Sequence, residues 1–367
     1  MQLLKSCQNQ LLDVSTERLL NSLQDIVSNV QIQPNFCISH PDYKPLELSS
    51  EVVARFQRLP PAIQSKYLSL QLRSFLYGIY YNGSLQAALA LDTSSSGLAL
   101  HQDLENNSFL GVDWVFYERL HKSNEGEGYF DPGWYVLRQE SDGSLAVQKG
   151  GLTLHIERDR HLQSVAQSAT VGDSVAIRMP RNLIQNGFYI AVSNVGPNTH
   201  DGTVRVYFNL SSQGATPVME SITKQLNRIL IPFTFKVLYN PSDYGRYDSG
   251  VLYFEKSNYK QVQPVLQTVY MENQSHFQVD IPLFTKWLAP GLGLAEEPNC
   301  KFAVQESFGM NRSQIVANGL LEAWQNGDDS LEARMASIRK HFSLLRIEVK
   351  QPYLNPDSED IYALLEL

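Results

Sequence analysis

Four cationic or titratable residues have the types and placement to do chemistry: Lys236, Arg246, Arg205 and His155. Lys236 lies inside the apolar, aromatic run Ile231-Pro-Phe-Thr-Phe-Lys-Val-Leu-Tyr239, and Arg246 follows ten residues later in Asp243-Tyr-Gly-Arg-Tyr-Asp248. An ammonium on such a strand is either an edge residue snorkelling to water or a lysine set aside for use. Burial disfavours the charged form of a lysine, which is how a lysine becomes a general base. Arg205 and Arg246 carry the planar fork of donors that suits phosphate or carboxylate.

The elements that must position them follow from period-two patterns. In Val204–Leu210, Val204, Val206, Phe208 and Leu210 share one face, and Arg205, Tyr207 and Asn209 share the other. In Phe233–Tyr239, Phe233, Phe235 and Val237 oppose Thr234, Lys236 and Leu238. In Leu152–Ile156 the apolar set is Leu152, Leu154 and Ile156, with Thr153 and His155 opposite. If the three strands share a sheet, His155, Arg205 and Lys236 converge; if not, each is an ordinary residue on a wet sheet face. The segment Gln305-Glu-Ser-Phe-Gly-Met-Asn-Arg312 adds Glu306, before a Ser-Phe-Gly turn, and Arg312 at a helix start. They read either as substrate-orienting groups or as a capped helix entrance.

Around these strands the chain reads as α+β: a helical N-terminal part, then a mostly antiparallel sheet with inserted and C-terminal helices. Leu11, Leu12, Leu19, Leu20, Leu23, Ile26, Val27 and Val30 recur at helical spacing, and a second helix is expected over Ala62–Tyr81. Asp92–Gly97 reads as a loop, and Asn106–Asn107 lie near the change of character. Strands are expected at Trp134–Arg138, Leu145–Gln148, Leu152–Ile156, Ser174–Arg178, Phe188–Val192, Val204–Leu210, Phe233–Tyr239 and Val251–Phe254. Helices are expected at Val218–Ile229, Leu283–Leu288, Arg312–Asn326 and Leu331–Leu345. The division is a helical region over 1–108 and an α+β domain over 109–367.

Bulk numbers narrow the function. The 367 residues are 43% hydrophobic and 19% charged, enough for a sizeable core. Net charge is -8, which argues against a general nucleic-acid binder. Residues 149–256 alone carry more Lys and Arg (11) than Asp and Glu (8), and they hold the candidate cations. Cys7, Cys37 and Cys300 form no disulfide framework or metal pattern, and the expected compartment is a reducing cytoplasm. There is no apolar run of membrane-spanning length, no phosphate-cradling Gly-Lys-Ser/Thr loop and no hydrolase elbow or zincin helix. No metal or cofactor is expected.

Several motifs resemble the HopA-like family, whose founding members are type III secretion effectors of plant-pathogenic bacteria. They are Val204-Arg-Val-Tyr-Phe-Asn-Leu210, Ile231–Leu238, Tyr244-Gly-Arg-Tyr-Asp-Ser-Gly-Val-Leu-Tyr253, Leu288–Pro298 and Glu306-Ser-Phe-Gly-Met-Asn-Arg312, covering roughly residues 110–345. HopA-like proteins of class V lanthipeptide gene clusters look like lyases that eliminate phosphate from phosphorylated Ser or Thr in a precursor peptide. A partner kinase supplies the phosphate. The secreted effectors are instead discussed as proteins that bind host immune regulators.

By analogy with phosphothreonine lyases, the resemblance implies Lys236 as base and His155 as acid. Arg205, Arg246 and Arg312 would hold phosphate, with Asp248, Glu306 and Tyr207 in support. The implied activity is a phosphoserine/phosphothreonine lyase. The alternative is a non-enzymatic interaction or phosphopeptide-binding module.

Overall fold

The computed structural model describes residues 2–91, 111–198 and 202–366, with side chains from residue 16 onward. The expected loop Asp92–Gly97, the Asn106–Asn107 transition, the 108/109 boundary and the Cys7 side chain lie outside the described residues.

The chain is α+β, as its pattern implied. Helix α1 (Gln2–Asn29) leads into a small sheet of β1 (Gln31–Ile32), β2 (Ile38–His40) and β3 (Tyr43–Leu46). Three helices follow: α2 (Ser50–Phe56), α3 (Pro61–Leu76) and α4 (Gln86–Leu89); a π-helical turn at Tyr77–Tyr81 continues α3. Proline at the start of α3 supplies a fixed φ where no amide partner is needed. Helix α5 (Trp114–Ser123) is capped by Asp113, whose carboxylate accepts from the Phe116 amide at 2.9 Å.

A four-stranded antiparallel sheet comes next, from β4 (Tyr129–Gln139), β5 (Leu145–Lys149), β6 (Leu152–Ile156) and β7 (Ser174–Met179), with the one-turn α6 (Arg158–His161) between the last two. Its strand order is β6-β5-β4-β7. This sheet has its own small core of Trp134, Val136, Leu145, Val147, Ile156, Val175 and Ile177.

The main body is a seven-stranded antiparallel sheet. Its strands are β8 (Asn182–Gln185), β9 (Phe188–Val192), β10 (Thr203–Phe208), β11 (Thr234–Leu238), β12 (Gly250–Glu255), β13 (Lys286–Ala289) and β14 (Leu292–Glu296), in the order β13-β14-β10-β12-β11-β9-β8. Helices α7 (Ser212–Arg228) and α8 (Tyr259–Asn273) interrupt it; α9 (Phe308–Gln325) and α10 (Leu331–Leu344) follow it. The large core joins α1 (Leu23, Val27), α3 (Leu72, Phe75), the sheet (Val206, Phe235, Leu252) and α7 to α10 (Ile222, Leu266, Ile315, Phe342).

Two departures from the sequence reading have physical causes. The expected helix Leu283–Leu288 is in fact β13, half of a hairpin turned at Pro290-Gly291, where Gly291 takes φ of 71°. Both strands of this hairpin are largely buried, so the run Leu288–Leu294 shows no alternation to identify it. Helix α9 starts at Phe308 rather than Arg312, because Ser307 caps it by accepting from the Met310 amide at 3.3 Å. Helices α5 and α8 and the first small sheet carried no expectation.

Candidate functional site

Register puts the candidates together. Directly opposed residues of antiparallel strands point to the same face. Tyr207 pairs with Val251, Val251 with Lys236, Lys236 with Ile190, and Ile190 with Leu183. One row thus crosses β10, β12, β11, β9 and β8 on one face of the sheet. The next row holds Arg205, Tyr253, Thr234 and Val192. The face assignments read from alternation therefore hold, and Lys236, Arg205 and Tyr207 do share a sheet face.

The two ends of this face differ. At the β10 end, α9 and the π-helical turn lie over Tyr207, whose ring is 6.3 Å from both Phe308 and Tyr81. At the β8 end, Leu183 remains 42% exposed.

Lys236 is 8% exposed. Its Nζ lies 4.4 Å from the Phe188 ring centroid and 5.6 Å from that of Tyr253. These rings sit on the flanking strands, diagonal to Lys236 in the register, where long side chains meet across a sheet. Among the described residues Nζ makes no hydrogen bond and no ion pair. The other buried cations of the described residues are engaged. Lys286 pairs with Asp360 at 2.6 Å, Arg246 with Asp248, Arg334 with Asp329 at 3.5 Å, and Arg312 with backbone carbonyls. Buried charge is normally paired or hydrogen-bonded, because desolvation otherwise goes uncompensated. Lys236 is the exception.

Each flanking arginine shares a ring with Lys236. Arg246 lies 6.0 Å from Phe188 through its Cζ, and Arg205 lies 5.1 Å from Tyr253. Arg246 is 2% exposed and donates to Asp248 from Nε at 2.5 Å and from Nη2 at 2.9 Å. Asp248 lies 3.5 Å from both the Tyr77 hydroxyl and the Asn82 amide. The Tyr247 amide donates to the Asn82 carbonyl at 2.9 Å, tying the 239–249 loop to the π-helical turn.

Arg205 donates from Nε to Glu297, which also accepts from Lys301 at 2.5 Å. Burial works against the Arg205 charge, but Tyr253, Tyr207 and Glu297 outweigh it and hold its pKa well above the ordinary value. Glu297 shifts the opposite way. Burial would raise it, and the pull of Arg205 and Lys301 leaves it below the usual carboxylate range. The Tyr207 hydroxyl is raised by burial, against the opposing effect of Arg205, and the Tyr207 side chain lies beneath the Tyr81 ring.

Other candidates lie elsewhere or are occupied. His155 is on β6, in the four-stranded sheet with its separate core. Its side chain is 59% exposed and its Nδ1 sits 3.4 Å from Glu140. The structure does not bring it to the Lys236 face: the same alternation recurs on both sheets, and strand membership is not encoded locally.

Arg312 is not presented to a ligand. It donates to the carbonyls of Pro352 (Nε, 2.7 Å) and Leu354 (Nη2, 3.1 Å) and to Asn311 Oδ1 (Nη1, 2.6 Å). Burial lowers its pKa to about 10, with Tyr207, Glu296 and Glu306 acting the other way. It clamps the C-terminal segment, in place of the phosphate contact the resemblance implied.

Glu306 accepts from the Phe302 amide and from Asn311 Nδ2, both at 2.9 Å, and so shapes the entrance to α9; its other oxygen is buried without a partner.

Sequence reasoning missed Phe188, Tyr253 and Glu297. The alternation of β12 sets Tyr253 opposite Leu252 and Phe254, but which strand it borders depends on the fold. Among the described residues no cluster of His, Cys, Asp or Glu could hold a metal ion, and no helix is long and apolar enough to cross a membrane.

The stretch from β7 to the C-terminal segment contains Lys236, both flanking arginines and the two rings, and excludes His155. It is this stretch, residues 179–354, that matches the HopA1 effector protein family. These residues belong to that family. Two solved structures are similar to the chain. The effector protein from Pseudomonas syringae pv. tomato strain DC3000 is 16% identical with a TM-score of 0.42, over 77% of this chain and 90% of its own. The effector protein from Pseudomonas syringae pv. syringae strain 61 is 15% identical with a TM-score of 0.43, over 84% of this chain and 99% of its own. No curated protein matches the chain.

Proposed function

We propose that this HopA1-family protein is a lyase that eliminates phosphate from phosphoserine or phosphothreonine in a peptide. One observation carries the reading: Lys236, a buried amine held between two rings, with no anion beside it. A bound phosphate would supply the missing counter-charge, and the Arg205 and Arg246 guanidiniums flank the same rings.

In the elimination, the Lys236 ammonium that meets the phosphate dianion first passes it a proton, and the resulting amine takes the α-proton. The C–H electron pair becomes the Cα=Cβ bond, the Cβ–O bond breaks and phosphate departs. A phosphate monoester has its second pKa near about 6, so a monoanionic fraction exists at neutral pH and leaves as hydrogen phosphate without a separate protein acid. That chemistry does not call on His155. The arginines would stabilise charge on the departing group. The phosphorylated peptide must come from a kinase, which makes a partner kinase part of the proposal.

A second reading is favoured by a different observation. Arg205 and Arg246 already pair with Glu297 and Asp248, which leaves fewer donors to stabilise a departing phosphate and favours a non-enzymatic interaction module on the same scaffold.

Incubation with phosphoserine and phosphothreonine peptides separates the two. A lyase releases phosphate and leaves a product that adds a thiol across its new double bond. A binding module retains the intact ester. Phosphate release with a product that recovers a hydroxyl and adds no thiol would indicate hydrolysis and reject both.

A further inference from the structure

The row containing Lys236 has one open end, and its composition says what fits there. From Lys236 it continues through Ile190 to Leu183 at the edge strand β8. Ile190 is partly exposed and Leu183 is 42% exposed, so two aliphatic side chains lead from the unpaired ammonium to the sheet edge. At the other end the Tyr207 hydroxyl is sealed beneath Phe308 and Tyr81. A chain bound at Lys236 can therefore extend over the sheet toward β8.

We infer that the site selects phosphopeptides with a large aliphatic residue three positions from the phosphorylated one, seated on Ile190 and Leu183. This rests on the phosphopeptide reading above. Two strand spacings separate Lys236 from Leu183, about 10 Å. A bound peptide in the polyproline II conformation advances about 3.1 Å per residue with three residues per turn, so side chains three positions apart point to the same face about 9 Å apart. The occupant is fixed by charge at one end and apolar surface at the other: a phosphate for Lys236, a Leu, Ile or Val side chain for the edge.

The probes are four fluorescent phosphothreonine peptides on an alanine background. One has Leu three residues N-terminal to the phosphothreonine, one has Leu three residues C-terminal, one has both and one has neither. The expected result is about tenfold tighter binding of the peptide with both leucines than of the one with neither, the free energy of one aliphatic side chain. One of the two single-Leu peptides should account for the gain. Leu183→Asp should bring the ratio to about one. Ile184→Asp, on the same edge strand but the opposite face and 66% exposed, should keep it. Equal affinities for all four peptides, lost together in Lys236→Met, would overturn the apolar subsite and leave the phosphate site standing. Binding unaffected by Lys236→Met would overturn both.

Discussion

Replacing Lys236 by methionine should stabilise this protein while removing its phosphate chemistry. The side chain is 8% exposed with no acidic partner, so its charged form bears a desolvation cost of several kcal/mol. Two ring contacts, at 4.4 and 5.6 Å, return about 0.5–2 kcal/mol each. A net penalty of about 2 kcal/mol remains. Methionine matches the length, carries no charge and gains about 0.3–1.5 kcal/mol per sulfur–ring contact with Phe188 and Tyr253.

Lys236→Met should therefore be more stable by about 2 kcal/mol, which for a chain of this size is a rise in Tm of roughly 2–4 °C. Thermal and urea melts measure it. A phosphopeptide at saturating concentration should raise the Tm of the parent protein, by about 2.7 kcal/mol in stability at one hundred times Kd, and leave the variant unmoved. A variant less stable than the parent by a similar amount would refute the reasoning, because Lys236 would then be a packed structural residue and not a charge awaiting an anion.

Further outcomes follow from other contacts. Asp248→Ala leaves the 2%-exposed Arg246 without its bidentate partner and should cost about 3–5 kcal/mol in urea denaturation. Gly309→Ala places a Cβ 2.2 Å from the Tyr81 ring; the displaced ring should cost about 1–3 kcal/mol by the same measurement. Glu296 gives a pH dependence. Burial alone would raise its pKa, but donors from Lys256, the Asn355 amide, Ser358 and Tyr362 hold it below the ordinary value of 4.5. Its contribution is complete above about pH 4.5 and is lost as pH falls through the lower folded value. Denaturation at pH 7 and at pH 3.5 should show this loss, and Glu296→Gln should show a smaller one.

How much of this was legible in the sequence depends on the range of the information. Alternation within one strand correctly gave the faces of Lys236, Arg205 and Tyr207, because the period of a strand is a local property. It gave His155 a face just as readily, yet β6 belongs to another sheet. Nothing within five residues records strand order. The rings around Lys236 were out of reach for the same reason, since Phe188 and Tyr253 come from separate neighbouring strands. Arg312 misled in a different way: its partners are the carbonyls of Pro352 and Leu354, and a backbone acceptor leaves no mark on residue identity. The hairpin around Gly291 was hidden because burial on both faces erases alternation.

The most direct test is the ³¹P spectrum of a phosphothreonine peptide mixed with the parent protein and, separately, with Lys236→Met. The lyase account predicts that the ester resonance gives way to inorganic phosphate only with the parent, while the peptide loses the elements of phosphoric acid. An ester resonance that does not decay with the parent protein across peptides carrying the aliphatic flank, whether or not it shifts or broadens, would contradict it.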